Sequence, residues 1–292
     1  MQTILVTGAN TGIGLALCKQ LCKDHGAKVF LGSRSADKGA TAVQQVKEYA
    51  GGDSKGQVEL LQIDVGSDDS VTKAAASLKE KGVKLTAIVN NAGTGLGHGV
   101  TNETVLNVNL MGVKRVVDAF TELLDPQASR IVNVGSGSGP LYVRSQPIER
   151  QKKLCNPDIT WEEIKEEYDR GVPKDDPAHG QVGTDHYGLS KALLTCYTMM
   201  LAKTLAPKNI SVYCLTPGYI DTAITAGWPG GKPPEEGTVA IRHCLFETTK
   251  EESGQFFGSD AKRSPLHFLR NPGEPVSDGT IDWEAVEKDL AK

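Results

Sequence analysis

Short runs of β-branched and other apolar residues alternate along this chain with longer amphipathic stretches that have helical spacing. The predicted strands are residues 3–7, 28–32, 58–63, 85–90, 130–134, 211–215 and 255–257. The predicted helices are residues 13–24, 36–50, 68–81, 103–124, 186–205 and 236–248. This alternation predicts an α/β fold, in which a doubly wound parallel sheet is covered by helices on both faces. Ligands of such sheets bind beyond the C-terminal ends of the strands.

Two regions interrupt the alternation. Residues 140–182 form a polar stretch with a predicted helix at 160–170, where a short connection would otherwise be expected. The tail from 262 to 292 contains three prolines and then a short acidic helix around Trp283. We expect one domain over 1–292 that carries an inserted helical segment and a tail wrapped along its surface.

Composition narrows the class of protein. The 292 residues suffice for one large α/β domain, and 32 basic against 36 acidic residues give a net charge of −4, with no general attraction to nucleic acid or anionic lipid. No apolar run approaches the ~18 residues of a membrane span, and the first strand begins almost at the first methionine, which leaves no room for a signal peptide. Six cysteines are too few for a disulfide scaffold of this size. A reduced, cytoplasmic chain without a nucleic-acid or membrane partner is expected.

The metal-ligating residue types form no convincing site. Cys18 and Cys22 face one side of the first helix, but no second His or Cys pair follows them, so core packing is the favoured interpretation. His98 and His186 lie near the predicted site in sequence and are interpreted as surface or helix-start residues.

A glycine-rich turn joins the first strand to the first helix. Glycines here allow a tight turn and close backbone approach to a pyrophosphate, and the helix N-terminus supplies N–H donors. A dinucleotide is therefore the predicted ligand, and the absence of a Gly-Lys-Ser/Thr ending argues against a nucleoside-triphosphate loop. The turn reads Gly8-Ala9-Asn10-Thr11-Gly12-Ile13-Gly14.

The Gly8-x-x-x-Gly12-x-Gly14 spacing resembles the short-chain dehydrogenase/reductase family. Three further segments follow in that family's order: Asn90-Asn91-Ala92-Gly93, Tyr187-Gly188-Leu189-Ser190-Lys191 and Pro217-Gly218. The resemblance implies a Rossmann-type fold. It also implies cofactor contacts from Gly8, Asn10, Thr11, Gly12, Ile13, Gly14, Ser33, Arg34, Asp64, Val65, Asn91, Ala92, Gly93, Tyr187, Lys191, Pro217, Gly218, Ile220 and Thr222.

The end of the second strand indicates which dinucleotide is bound. An acidic side chain there would accept bonds from a ribose 2′-hydroxyl and select NAD, but the sequence has Ser33 and Arg34. A guanidinium can pair with a 2′-phosphate, and serine hydroxyls add donors, so NADPH is predicted over NADH. The turn itself lacks the basic residue of many NADP relatives, which weakens that preference. Asp64 matches the family's adenine contact, with a helix N-cap as its competing role.

Tyr187 and Lys191 are four apart and share one helix face. A neighbouring ammonium is expected to lower the pKa of the tyrosine toward neutrality, as an acid–base pair requires. By resemblance, Ser136 polarises the substrate oxygen, and Asn109 holds a water linked to Lys191. Ser138 and Asn107 are the nearby alternatives for these two roles.

Ser136 and Tyr187 lie 51 positions apart, and the long insertion between them resembles the carbonyl reductase branch of the family. That branch implies a monomer and broad reduction of aldehydes, ketones and quinones. Leu141, Tyr142, Tyr219 and Trp228 are candidates for an apolar substrate pocket. An alcohol dehydrogenase working oxidatively with NAD(P), and an NADPH-sensing protein without catalysis, remain alternatives. A sugar-nucleotide epimerase is disfavoured by the glycine spacing.

Overall fold

The structure, a computed structural model, describes residues 1–95, 99–181, 183 and 185–290. His98, the last insertion residue Val182 and the last two tail residues therefore lie outside the described residues. Seven strands form one sheet with all neighbours parallel, in the order β3-β2-β1-β4-β5-β6-β7. The strands are β1 Thr3–Val6, β2 Lys28–Ser33, β3 Gln57–Gln62, β4 Ala87–Asn90, β5 Ser129–Val134, β6 Ile210–Leu215 and β7 Phe256–Phe257. The predicted doubly wound α/β fold is confirmed.

Helices cover both faces of the sheet. They are α1 Gly12–His25, α2 Ala36–Ala50, α3 Asp68–Glu80, α4 Asn102–Leu106, α5 Gly112–Phe120, α6 Ser138–Arg144, α7 Ile148–Leu154, α8 Trp161–Arg170, α9 His186–Leu205, α10 Val239–Phe246 and α11 Trp283–Leu290. No helix among the described residues is both long and apolar enough to cross a bilayer.

Alternation along the strands builds two hydrophobic layers. In β1, Leu5 packs into the layer on one face, and Ile4 and Val6 pack into the layer on the other. Every residue of β6 is buried, as a central strand covered on both faces requires. Cys18 and Cys22 lie in the second layer, which confirms their predicted core packing.

The predicted helix over 103–124 is interrupted. A π-helical turn, Asn107–Met111, separates α4 from α5, and a 3-10 turn follows α5. The Asn107 side chain is bonded at this turn: its amide donates to the Gly66 carbonyl at 3.3 Å, and its oxygen accepts from Arg115 of α5 at 2.8 Å. Hydrophobic periodicity records which residues face the core, so it does not reveal such a turn.

The described residues of the insertion form most of α6 and all of α7 and α8, where only α8 was predicted. Its centre is the Asp176 carboxylate, which is completely buried and accepts from Arg150 at 2.7 Å, Arg170 at 2.8 Å and Gln146 at 3.1 Å. Burial by itself would raise the pKa of Asp176, but these bonds and one from the Ala178 N–H lower it to about 2. The charged cluster therefore holds the separate parts of the insertion together.

Asp176→Asn should lower the free energy of unfolding by about 2 kcal/mol at pH 7, because a folded-state pKa below the unfolded value stabilises the fold while the carboxylate is charged. That contribution is complete above the unfolded pKa of 3.8 and disappears as the pH falls through the folded pKa of about 2. The difference in the free energy of unfolding between the wild type and the variant, measured by urea titration, should shrink over the same pH interval. Asp69→Asn, which removes an exposed pair with Lys73, should cost less than about 1 kcal/mol. A difference in the free energy of unfolding that stays unchanged down to pH 2 would contradict a stabilising role of the Asp176 charge.

Candidate active site

A cleft of about 780 Å³ lies at the C-terminal ends of the strands, where the doubly wound topology places ligands. All the predicted cofactor-binding residues except Gly14 line it. Further lining residues, beyond that set, include Lys38, Thr94, Val100, Ser136 and Gly183. Residues far apart in sequence thus meet in one cavity, and their binding roles stay predictions.

The glycine turn has the close contacts that the sequence predicts. Gly8 has φ +62°, and a Cβ on it would lie 2.7 Å from the Cα of Ala92. A Cβ on Gly14 would lie 2.5 Å from the amide nitrogen of Asn91. Gly14 therefore lets α1 pack closely on the end of β4, and it lies behind the cavity wall.

The start of α1 fits a phosphate group. Thr11, its N-cap, makes no capping side-chain bond to any described residue. By contrast, the Ser35 and Ser67 hydroxyls cap α2 and α3. The first N–H groups of α1 therefore point into the cleft without a side-chain acceptor, where the helix dipole also favours an anion.

Two cations lie at the β2 end of the cleft. Arg34 and Lys38 both line it and are exposed, and neither is paired with an acidic side chain among the described residues. The Ser33 hydroxyl is buried and donates to the Ser35 carbonyl at 2.8 Å, and its predicted contact with the cofactor stays a prediction. Lys38 was missed by the sequence reasoning, although its place in the first turn of the helix after Arg34 was a usable signal.

Asp64 is not a helix N-cap, so that competing role is wrong. Ser67 caps α3, accepting from the N–H of Ser70 at 3.3 Å. One Asp64 carboxylate oxygen accepts from the N–H of Gly66 at 2.9 Å, and this bond holds the side chain at the wall of the cleft. The placement is compatible with the predicted adenine contact.

Tyr187 and Lys191 come from the first two turns of α9. The Lys191 Nζ lies 5.7 Å from the centroid of the Tyr187 ring and donates to the Val134 carbonyl at 2.9 Å. Ser136 follows the same strand end, and its side chain forms a hydrogen bond with Tyr187. Three of the four predicted catalytic residues therefore meet at one point of the cleft.

The electrostatics of the pair differ from the expectation. Burial raises the pKa of Tyr187 and outweighs the opposing hydrogen bond with Ser136, so the predicted net lowering of this pKa is wrong for this structure. Burial also lowers the pKa of Lys191 to about 8. Both groups are desolvated together, so near neutral pH Tyr187 carries its proton.

Asn109 lies behind this point and does not line the cavity. Its side chain is buried, accepts from the Thr94 N–H at 2.9 Å and donates to the Ser190 hydroxyl at 3.0 Å. Its amide oxygen and the Lys191 Nζ both flank Gly93, at 3.4 and 3.7 Å from a Cβ built there. Asn109 thus ties the loop after β4 to α9, and its link to Lys191 through water stays a prediction.

The wall beyond Tyr187 is mostly apolar. Leu141, Tyr219 and Trp228 line the cleft and are partly exposed, as predicted. The prediction that Tyr142 lines the substrate pocket is wrong. This residue is fully buried, with its hydroxyl 3.5 Å from Asp176, and lies outside the cleft. On one side the ring of Tyr187 is covered by Gly95, where a Cβ would lie 2.5 Å from ring carbon Cδ2.

The remaining candidates add no chemistry. His186 begins α9 as predicted, and burial lowers its pKa. Its Nε2 accepts from the Val172 N–H at 3.4 Å. Within the described part of the chain, no group of three or more His, Cys, Asp or Glu side chains could hold a metal ion.

A parallel sheet of this order, with a glycine turn after its first strand and an uncapped helix start beside it, defines a Rossmann-type dinucleotide-binding fold. A model of the family described as short chain dehydrogenase matches residues 2–148. A second model, described as enoyl-(acyl carrier protein) reductase, matches residues 178–252. The chain belongs to the short-chain dehydrogenase/reductase family and is an oxidoreductase.

Similar proteins include carbonyl reductase (NADPH) 1 of Mus musculus, 30% identical over 89% of this chain and 97% of its own length. The (+)-neomenthol dehydrogenase of Arabidopsis thaliana is 31% identical over 87% and 94%. Among solved structures, salutaridine reductase from Papaver somniferum superposes with a TM-score of 0.71 at 28% identity, covering 88% of this chain and 99% of that one. NADPH-bound carbonyl reductase from chicken fatty liver shares the fold, with a TM-score of 0.63 at 19% identity over 90% and 98%.

Proposed function

We propose that this chain is an NADPH-dependent carbonyl reductase that converts aldehydes, ketones or quinones to alcohols. The observation that carries the proposal is the convergence of Ser136, Tyr187 and Lys191 at one point of a cleft whose far end holds Arg34 and Lys38. The names of the mouse and chicken relatives support the same activity and cofactor.

When bound, the reduced nicotinamide supplies the hydride that forms the new C–H bond. The Ser136 hydroxyl donates a hydrogen bond to the substrate's carbonyl oxygen, and the Tyr187 hydroxyl gives its proton to that oxygen as negative charge develops. Lys191, fixed by the Val134 carbonyl, places its ammonium beside the Tyr187 ring and stabilises the phenolate that remains. Asn109 holds the loop and α9 around this group.

The reductive direction fits the state of Tyr187. A proton donor must start protonated, and burial raises the pKa of this hydroxyl. A non-catalytic NADPH sensor has no need for a hydrogen-bonded Ser136–Tyr187 pair.

NADPH over NADH rests on Arg34 and Lys38. These cations lie where an adenosine 2′-phosphate would end if the pyrophosphate lay at the start of α1, and neither is already paired with an acidic described residue. The Ser35 hydroxyl accepts from the Lys38 N–H at 3.3 Å and can still donate its own hydrogen. The pocket therefore offers two charges and one hydroxyl to a phosphate.

A monomer remains our proposal for assembly. Trp161 of α8 packs edge-on against Tyr197 of α9, with ring centroids 5.6 Å apart, and the Lys114 ammonium of α5 lies 5.0 Å from the Trp161 ring. The insertion thus covers the α5 and α9 face that relatives use for subunit contacts, according to the resemblance. Sedimentation at micromolar concentration should show one species of 31.2 kDa, and a stable tetramer would contradict the proposal.

Tyr187→Phe should lower turnover by about 10³-fold, because the proton donor is lost while the ring remains. Cofactor oxidation at 340 nm, with NADPH and a panel of quinones, aldehydes, ketoesters and ketosteroids, measures this. NADPH affinity should stay close to that of the wild type, since the ring still fills its place. Tyr49→Phe, on the exposed face of α2, is the matched control and should keep full turnover. Ordinary turnover by Tyr187→Phe would contradict the mechanism.

Arg34→Ala and Lys38→Ala should each raise the Kd of NADPH about tenfold, since each removes a charged hydrogen bond to phosphate. The Kd of NADH should hardly change, because that cofactor lacks the 2′-phosphate. Fluorescence titration of both cofactors gives the comparison. Lys47→Ala, in the last turn of the same helix, serves as the control. Equal weakening of both cofactors would refute the assignment.

A further inference from the structure

One buried hydroxyl joins two turns of the site. Thr216 follows β6 directly and is 7% exposed. Its Oγ1 accepts from the N–H of Gly137 at 3.1 Å and from the N–H of Gly218 at 3.3 Å. Its own N–H donates to the Phe257 carbonyl at 2.9 Å, which fixes Thr216 against the edge strand β7.

The two turns carry different parts of the chemistry. Gly137 lies next to Ser136, whose hydroxyl also accepts from the Ser138 N–H at 3.2 Å. Gly218 lies in the turn of Pro217, and both residues line the same cleft as Ser136. In the proposed reaction the first turn orients the substrate oxygen and the second borders the nicotinamide end, so their separation sets how the two reactants meet.

A second set of contacts reaches the same two turns from the part of the chain that follows β7. A Cβ on Gly137 would lie 2.7 Å from the Cδ1 of Leu269, and a Cβ on Gly218 would lie 3.0 Å from the Cβ of Ser259. Each of these contacting residues precedes one member of an ion pair, in which the single nitrogen Nη2 of Arg270 lies 2.5 and 2.6 Å from the two Asp260 oxygens.

The ion pair is built into the fold. The Arg270 side chain is 2% exposed, and it also donates to the carbonyls of Asn271 and Glu274 and to the Ser264 hydroxyl. Because all three nitrogens of the planar guanidinium are bonded, the direction of the Arg270 side chain is fixed as well as its distance from Asp260. The tail is thereby fixed against both turns.

We propose that Thr216 is a positioning residue that holds two turns at a fixed separation: the Ser136 turn, which contains Ser136 and Gly137, and the Gly218 turn, which contains Pro217 and Gly218. The Asp260–Arg270 pair supports the same separation through the contacts of Ser259 and Leu269. The proposal rests on the proposed function, because a separation of turns matters only if reactants meet between them. Neither Thr216 nor the pair touches the reacting atoms. A displacement of about 1 Å between reacting groups can cost about 100-fold in rate, so small shifts of either turn are enough to matter.

The test compares Thr216→Val, which keeps the shape and removes the acceptor, with Thr216→Ser, which keeps the acceptor. Thr216→Val should lower kcat about 10- to 100-fold, with the Kd of NADPH changed less than about threefold, because the reactants still bind but meet poorly. Thr216→Ser should restore kcat to within about threefold of the wild type, since the hydroxyl oxygen is again present.

Amide hydrogen exchange without cofactor gives a readout independent of turnover. Exchange at Gly137 and Gly218 should accelerate about tenfold in Thr216→Val, because both N–H groups lose their acceptor. The matched control is Thr248→Val: Thr248 is also buried, and its hydroxyl accepts from Arg130 at 3.1 Å near the opposite end of β5. This control should keep the kcat of the wild type and the exchange rates at both glycines.

Arg270→Lys tests the second set of contacts. It keeps the charge but loses the planar guanidinium and its bonds to Ser264, Asn271 and Glu274, and it should lower kcat with little change in NADPH affinity. Combined with Thr216→Val, the two effects should be non-additive, because both variants release the same pair of turns.

Wild-type kcat and unchanged exchange in Thr216→Val would overturn the proposal, and so would a loss of kcat that Thr216→Ser does not restore. If the wild type itself reduces no carbonyl compound, the proposed function fails separately, while unchanged exchange at the two glycines would still refute the positioning role.

Discussion

The parallel register of β4, β5 and β6 is the constraint on which the active site depends. Asn90 pairs with Asn133 in the sheet, and Asn133 pairs with Cys214, so these strands reach their C-terminal ends at the same level. The chain then leaves each strand into a part of the site: the Asn91 turn, the Ser136 turn and the Gly218 turn. A slip of one residue between neighbouring strands would turn their core side chains to the opposite face.

A buried amide chain strengthens that register. The Asn90 amide donates to the Asn133 oxygen at 2.9 Å, and the Asn133 amide donates to the Thr198 hydroxyl at 2.9 Å. The chain therefore joins two strands to α9, the helix that carries Tyr187 and Lys191. Polar groups buried this deeply are stable only when their partners are aligned, so the chain favours one position of α9 over its neighbours.

Much of the fold was predictable because local patterns determine it. Apolar runs predicted every strand to within a few residues, and the bounds of α2 and α9 agree with the prediction. The glycine turn and the Tyr187–Lys191 spacing identified the cleft, since both depend on neighbours in sequence. Features that depend on long-range contacts could not be predicted. Lys38 faces the cleft through the packing of α2, and the buried charges around Asp176 meet only after the inserted helices fold together. The raised pKa of Tyr187 follows from burial, which spacing does not encode.

The π turn of Asn107–Met111 lets one helical rod place polar side chains near the cleft and apolar side chains in the core. A π turn holds one residue more than an α turn, so side chains beyond it are rotated by about 100° relative to an unbroken helix. Before and within the turn, the orientation suits Asn107 and Asn109, which bond to Gly66 and Thr94 around the cleft. After it, Val113, Val116, Val117 and Phe120 face the hydrophobic layer. The extra residue therefore lets one rod direct Asn109 to the loop after β4 and still keep its later apolar residues in the core.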